Sequence, residues 1–126
     1  MPATTIQVFR RRNGEVPLIK WLDELEENEP RAHRKCLERI LSLSSLGNQI
    51  RRPLADNLGD GIFELRTQIG RVHYRILYFF YGTNNAVLSH GLTKEGAVPA
   101  AAIQLAKDRR AMLLKNSLNL LAEWEL

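Results

Sequence analysis

From Gly61 to Lys94 the sequence runs GIFELRTQIGRVHYRILYFFYGTNNAVLSHGLTK, with three strand-like runs parted by two turns. The runs are Ile62 to Thr67, Arg71 to Phe80 and Ala86 to Thr93. Gln68-Ile69-Gly70 and Gly82-Thr83-Asn84-Asn85 are the turns, carrying Gly and Asn that accept left-handed backbone. Links this short join antiparallel neighbours, so the stretch predicts a three-stranded meander. In the middle run Val72, Tyr74, Ile76 and Tyr78 share one face, while Arg71, His73 and Arg75 begin the other. Beyond Arg75 both faces turn apolar at Leu77, Phe79 and Phe80, which predicts a central strand.

Elsewhere the period changes. Ile6 to Arg12 alternates and predicts a first strand, ended by Asn13-Gly14. Pro17 opens a helix whose apolar stripe is Leu18, Leu22 and Leu25, with Trp21 beside it. Pro30 begins a second helix to about Leu46, buried through Leu37, Ile40, Leu41, Leu43 and Leu46, with Gly47 as its C-cap. The two form a hairpin able to cover one sheet face. Gln49 to Asp60 reads as an irregular connector. A last helix starts near Pro99 with Ile103, Ala106, Arg110 and Leu113 in its stripe and Lys107, Asp108, Arg109 and Arg110 on its polar side. Leu118, Leu120, Leu121 and Trp124 continue an apolar pattern, so residues 116–126 are expected to add a tail helix. The expected class is α+β: an antiparallel sheet of about four strands, an N-terminal helical hairpin packed on it, and C-terminal helices.

Composition narrows the setting. A chain of 126 residues suits one domain with its own core. No run approaches the roughly 20 apolar residues of a membrane span, and the N-terminus lacks the order of a signal peptide. These features predict a cytoplasmic protein away from membranes. The single cysteine, Cys36, excludes an internal disulfide framework, and no His/Cys cluster has zinc spacing. A net charge of +4 fits a nucleic acid or an acidic protein partner.

Basic groups concentrate on the meander. With the right register, Arg66, Arg71, His73, Arg75, His90 and Lys94 gather on one concave surface. Arg51 and Arg52 join them if the connector crosses the sheet edge. The plainer reading of each is structural. Glu64 and Arg66 share a strand face and neutralise neighbours, Arg75 anchors the C-terminal carboxylate or a loop, and a strand histidine serves packing. Arg10-Arg11-Arg12 reads as a solvated strand end or a phosphate-contacting arm.

Four segments together carry a family likeness. They are Gly61-Ile62-Phe63-Glu64-Leu65-Arg66, Tyr74-Arg75-Ile76-Leu77-Tyr78-Phe79, Leu88-Ser89-His90-Gly91-Leu92-Thr93-Lys94, and Pro99 with Ile103, Ala106 and Arg109. In this order and spacing they resemble the RelE/ParE toxin superfamily, and more narrowly the HigB-like branch, also described as phage-derived Gp49-like. The resemblance implies a type II toxin neutralised by an antitoxin from the adjacent gene. It further implies ribosome-dependent cleavage of mRNA without metal or cofactor, in which the ribose 2′-OH attacks the adjacent phosphate. Such chemistry needs a proton acceptor, cations for the crowded phosphate and a proton donor for the leaving oxygen. By this likeness Arg75 and Arg66 hold the phosphate, Lys94 stabilises the transition state, and His90 is the acid or base. Arg51, Arg52, Arg71 and His73 are expected to bind RNA phosphates. Glu95 stands where the family often has a second lysine, and Met112 falls where many members have a tyrosine. A gyrase-directed toxin of the ParE kind and a non-catalytic antitoxin-binding module are the alternatives. An acidic amphipathic antitoxin helix suits the basic surface, and the tail offers a route to a homodimer.

Overall fold

The computed structural model describes residues 3–94, 96–116 and 119–124. Six strands form one sheet, taken in the order β2-β3-β4-β5-β1-β6. They are β1 (Thr5–Phe9), β2 (Ala55–Gly59), β3 (Ile62–Ile69), β4 (Val72–Phe80), β5 (Asn85–Lys94) and β6 (Leu121–Glu123). Among the described residues the α-helices are α1 (Pro17–Asn28), α2 (Pro30–Leu46) and α3 (Ala100–Lys115).

The meander forms as its alternation predicts. Strand β4 pairs antiparallel with β3 on one side and β5 on the other. Its two side-chain sets serve two cores. Tyr74, Ile76 and Tyr78 pack under the α1–α2 hairpin with Leu18, Leu22, Cys36, Ile40 and Leu43. Leu77 and Phe79 pack on the opposite face with Phe9, Val87, Ala106 and Leu113, under α3. The sheet is therefore the middle of three layers, and α3 covers only the apolar half of its face.

Two local choices fix the hairpin. Gly47 ends α2 with a φ of 55°, and a Cβ there would run into the Thr4 hydroxyl, so glycine serves both backbone and space. Trp21 of α1 lies flat against β5 at Gly91, where any Cβ would overlap the indole. The strand residue must therefore be glycine for the helix to sit this close.

Several expectations are corrected. The sheet has six strands rather than about four, and it is mixed, because β1 runs parallel to β5. Part of the expected irregular connector is the edge strand β2, paired through Ala55 opposite Leu65 and Asp56 opposite Glu64. Its polar sequence hides it. Asp56 Oδ1 accepts the Asn57 N–H at 2.9 Å and Asn57 Oδ1 accepts the Gly59 N–H at 2.8 Å, satisfying donors of an exposed edge. The tail is a strand in its described part, not a helix. β6 pairs antiparallel with β1, Leu120 is buried and Trp124 packs on the hairpin core. The remaining tail positions 117, 118, 125 and 126 lie outside the described residues, as does Glu95.

The first strand stops at Phe9, since Arg11 to Gly14 closes a turn through the Gly14 N–H on the Arg11 carbonyl. In α2 the buried stripe is Ala32, Cys36, Ile40 and Leu43, which leaves Leu41 and Leu46 exposed. In α3 the buried arginine is Arg109 rather than Arg110, in line with Ala106 and Leu113. No helix of the described residues is long and apolar enough to cross a membrane.

Candidate functional site

The register brings the basic positions together. Arg66 stands opposite Arg75, which stands opposite Leu92. Gln68 faces His73, and His73 faces Lys94. Glu64 faces Leu77, and Leu77 faces His90. All of these share the sheet face that α3 leaves half open. Arg71 precedes β4 in the same alternation set and is exposed.

The face is not uniformly positive, because carboxylates alternate with the arginines. Arg52 grips Asp56 with two hydrogen bonds, Nε to Oδ1 at 3.0 Å and Nη2 to Oδ2 at 2.9 Å. Arg66 lies 3.8 Å from Asp56 and 3.3 Å from Glu64. Arg75 closes the row, with Nε 3.4 Å from Glu64 Oε2 and Nη1 donating to the Gly96 carbonyl at 2.6 Å. That 3.4 Å contact is coulombic only: neither Arg75 Nε nor Glu64 Oε2 has a directed hydrogen bond. The Arg52 hydrogen bond leads in holding the Asp56 carboxyl below its usual range. Burial raises the pKa of Glu64 against the opposing pull of Arg75 and Arg66. Glu64 and Arg75 are both buried, whereas Arg66 is half-buried and Lys94 exposed. Arg71, His73 and Lys94 form no side-chain hydrogen bond or ion pair with another described residue.

His90 owes its place to a β-bulge. Leu77 pairs with His90 but the next residue, Tyr78, pairs with Leu88, so β5 spends an extra residue at Ser89. Strict alternation from Ala86 and Leu88, which face the hairpin core, would put His90 on that same face. The bulge turns it to the α3 side instead. Its Nδ1 lies 2.8 Å from Ser89 Oγ, while Nε2 is buried without a partner. Burial first, and the Arg109 charge second, push the His90 pKa down to about 4. The imidazole is thus neutral near pH 7, unlike the near-neutral titration expected of an unperturbed histidine.

Some expected residues stand apart. Arg51 donates to the Asn48 and Ile50 carbonyls and lines the β2 edge next to Phe63, outside the row of charges. Arg52 joins that row only through Asp56. Three groups that shape the site have no site role in the sequence reading, Asp56, Ser89 and Arg109, and Glu64 figures there only as a neutralising neighbour of Arg66. The alternation of Glu64 with Arg66 carried a signal for one. An arginine spaced three from Ala106 and four from Leu113 carried one for another.

The fold and this face define a class: a small three-layer α+β protein presenting arginine, histidine and lysine on an open sheet. The family model described as Phage derived protein Gp49-like (DUF891) matches residues 20–111, from α1 into the last turns of α3. The chain belongs to the Gp49-like family, a family of RelE/HigB-like toxins associated with toxin–antitoxin systems. Among curated proteins none matches the chain.

Proposed function

We propose that this chain is the toxin of a HigB-like toxin–antitoxin pair and cleaves mRNA at the ribosome by 2′-OH attack. The observation that carries the reading is the cross-strand register. It sets Arg66, Arg75, His73 and Lys94 around one open half-face with His90 at its inner end. In the reaction the 2′-oxygen bonds to phosphorus as the bond to the 5′-oxygen breaks. A 2′,3′-cyclic phosphate and a 5′-OH end result, and a proton passes from the attacking to the leaving oxygen.

Lys94 is exposed and Arg66 half-buried on the same face, so both can meet an incoming phosphate, and Arg offers it a bidentate fork. Arg75 is buried on the Gly96 carbonyl, so it engages phosphate by exchanging that carbonyl for a phosphate oxygen. Arg52 and Arg71 extend the phosphate track outward, beside His73. His90 starts neutral, as a base or an N–H donor, and a bound phosphate raises its proton affinity. The cognate antitoxin covers this basic surface with acidic side chains. A homodimer through the tail would use the outer edge of β6.

The test is a defined message on purified, intact ribosomes, incubated with wild type, Arg66→Ala and Lys94→Ala. New ends carrying 2′,3′-cyclic phosphate with wild type, reduced about 100-fold or more in each variant, are expected. Intact message with folded wild type contradicts the reading.

A further inference from the structure

Arg109 is a costly residue to place where it is. It lies in the apolar stripe of α3, buried, with its guanidinium 4.8 Å above the Phe9 ring. Burial lowers its pKa, helped by the neighbouring charge of Arg11. No carboxylate of the described residues pairs with it directly. Its hydrogen bonds go instead to one residue: Nη1 donates to the Ser89 carbonyl at 2.9 Å and approaches Ser89 Oγ at 3.4 Å. Ser89 is the extra residue of the β5 bulge, and it is fully buried.

The proton inventory of this trio has one good solution. Arginine only donates, so Ser89 Oγ accepts from Arg109. The buried serine hydroxyl must then place its own hydrogen, and His90 Nδ1, 2.8 Å away, is the acceptor within reach. An Nδ1 that accepts leaves the ring proton on Nε2. The opposite tautomer would strand the serine hydrogen in the interior as well, while Nε2 is unpartnered in either. We propose that Arg109 is a positioning residue, clamping the β5 bulge so that His90 lies on the α3 side of the sheet, with the Ser89 hydroxyl fixing it as the Nε2–H tautomer.

The consequence for chemistry rests on the toxin reading above. A neutral imidazole with its proton on Nε2, a buried and unpartnered atom, becomes a hydrogen-bond donor to a phosphate or leaving oxygen once a bound message displaces what covers it. It is not set up to accept a proton there. Arg109 on α3 is the charge that acts on His90. Its β4 neighbour is Leu77, and the Gly91 side of the strand is closed by Trp21. Arg11 and Glu15 act on Arg109 from the β1 side.

The experiment is long-range proton–nitrogen NMR of the histidine rings in the full, RNA-free chain, titrated with pH. The three histidines are assigned by single replacement, and the measurement is repeated in Ser89→Ala and Arg109→Lys. In wild type, His90 is expected with Nδ1 unprotonated and a midpoint near 4. Ser89→Ala should release it to a mixture of tautomers, and Arg109→Lys, which keeps the charge but loses the fork, should shift the His90 ring signals. An Nδ1-protonated ring in wild type overturns the proposal, and so does a tautomer unaltered in Ser89→Ala. Because no RNA is present, the ring result stands apart from cleavage. The expected spectra with a message left intact would overturn the toxin reading and leave the clamp in place.

Discussion

At His90 and Glu64 burial acts on opposite charge types, and stability should record both. His90 is held neutral, so the unfolded chain binds its proton more tightly between pH 6.5 and about 4. Its contribution is complete above pH 6.5 and is lost as pH falls toward 4, by up to about 3 kcal/mol. Glu64 has a raised pKa, so the folded state binds the proton more tightly as pH rises past 4.5, and its contribution falls with rising pH. The two slopes oppose each other in one window. Urea unfolding of His90→Gln between pH 4.5 and 6.5 is expected to show a less positive pH slope than wild type. Glu64→Gln should show a more positive one. Identical slopes in all three chains would mean that neither group is buried as described. Cys36 is a core thiol, pushed up to about 12 by burial and inert at neutral pH.

At the scale of elements, what alternation could say was local. It placed Arg66, Arg75 and Lys94 on one surface because β3, β4 and β5 are joined by short turns whose pairing follows from chain order. It could not place β1 beside β5, since that parallel pairing joins residues some 80 apart, as with Thr5 opposite Asn85. Nor could it separate a helix from a strand in a tail as short as Leu121–Glu123. The bulge at Ser89 was also silent, because a one-residue shift leaves the composition unchanged while moving His90 to the other face. Arg75 read as an open phosphate ligand, but its neighbours Glu64 and Gly96 bury it, and burial is a tertiary property.

Two element-level outcomes follow. Gly91→Ala must displace Trp21 of α1, so it should lose about 1–3 kcal/mol in urea unfolding and alter indole fluorescence. A neutral result would mean that α1 does not rest on β5. A chain ended at Lys115 loses Leu120 from the core and uncovers the edge of β1, so its unfolding midpoint should drop. An unchanged midpoint would show that β6 does not belong to the fold.

Across the whole molecule, one sheet is asked to be a core on its hairpin face and a binding surface on half of the other. The net charge of +4 is spread so that arginines near the edge are already neutralised by Asp56 and Glu64, leaving Lys94 and Arg71 without an ion pair among the described residues. Asp56 therefore competes with any phosphate for Arg52 and Arg66. Asp56→Asn keeps the Oδ1 acceptor for the Asn57 N–H but removes the charge, and it should tighten binding of single-stranded RNA severalfold. Asp23→Asn, on exposed α1, serves as the control for net charge alone. Equal tightening in both would reduce Asp56 to a surface charge.

On the proposed function, this basic face makes the chain a message-cutting toxin held in check by an antitoxin. The most direct test is controlled expression with and without the neighbouring gene, reading growth and mapping message ends for wild type and Lys94→Ala. Lys94 is the better probe than Arg75, because it is exposed and its loss spares the core. Arrest with discrete new message ends, both abolished in Lys94→Ala and both suppressed by the neighbour, is the expected result. Arrest with intact message, or unimpeded growth with folded wild-type protein present, would contradict it.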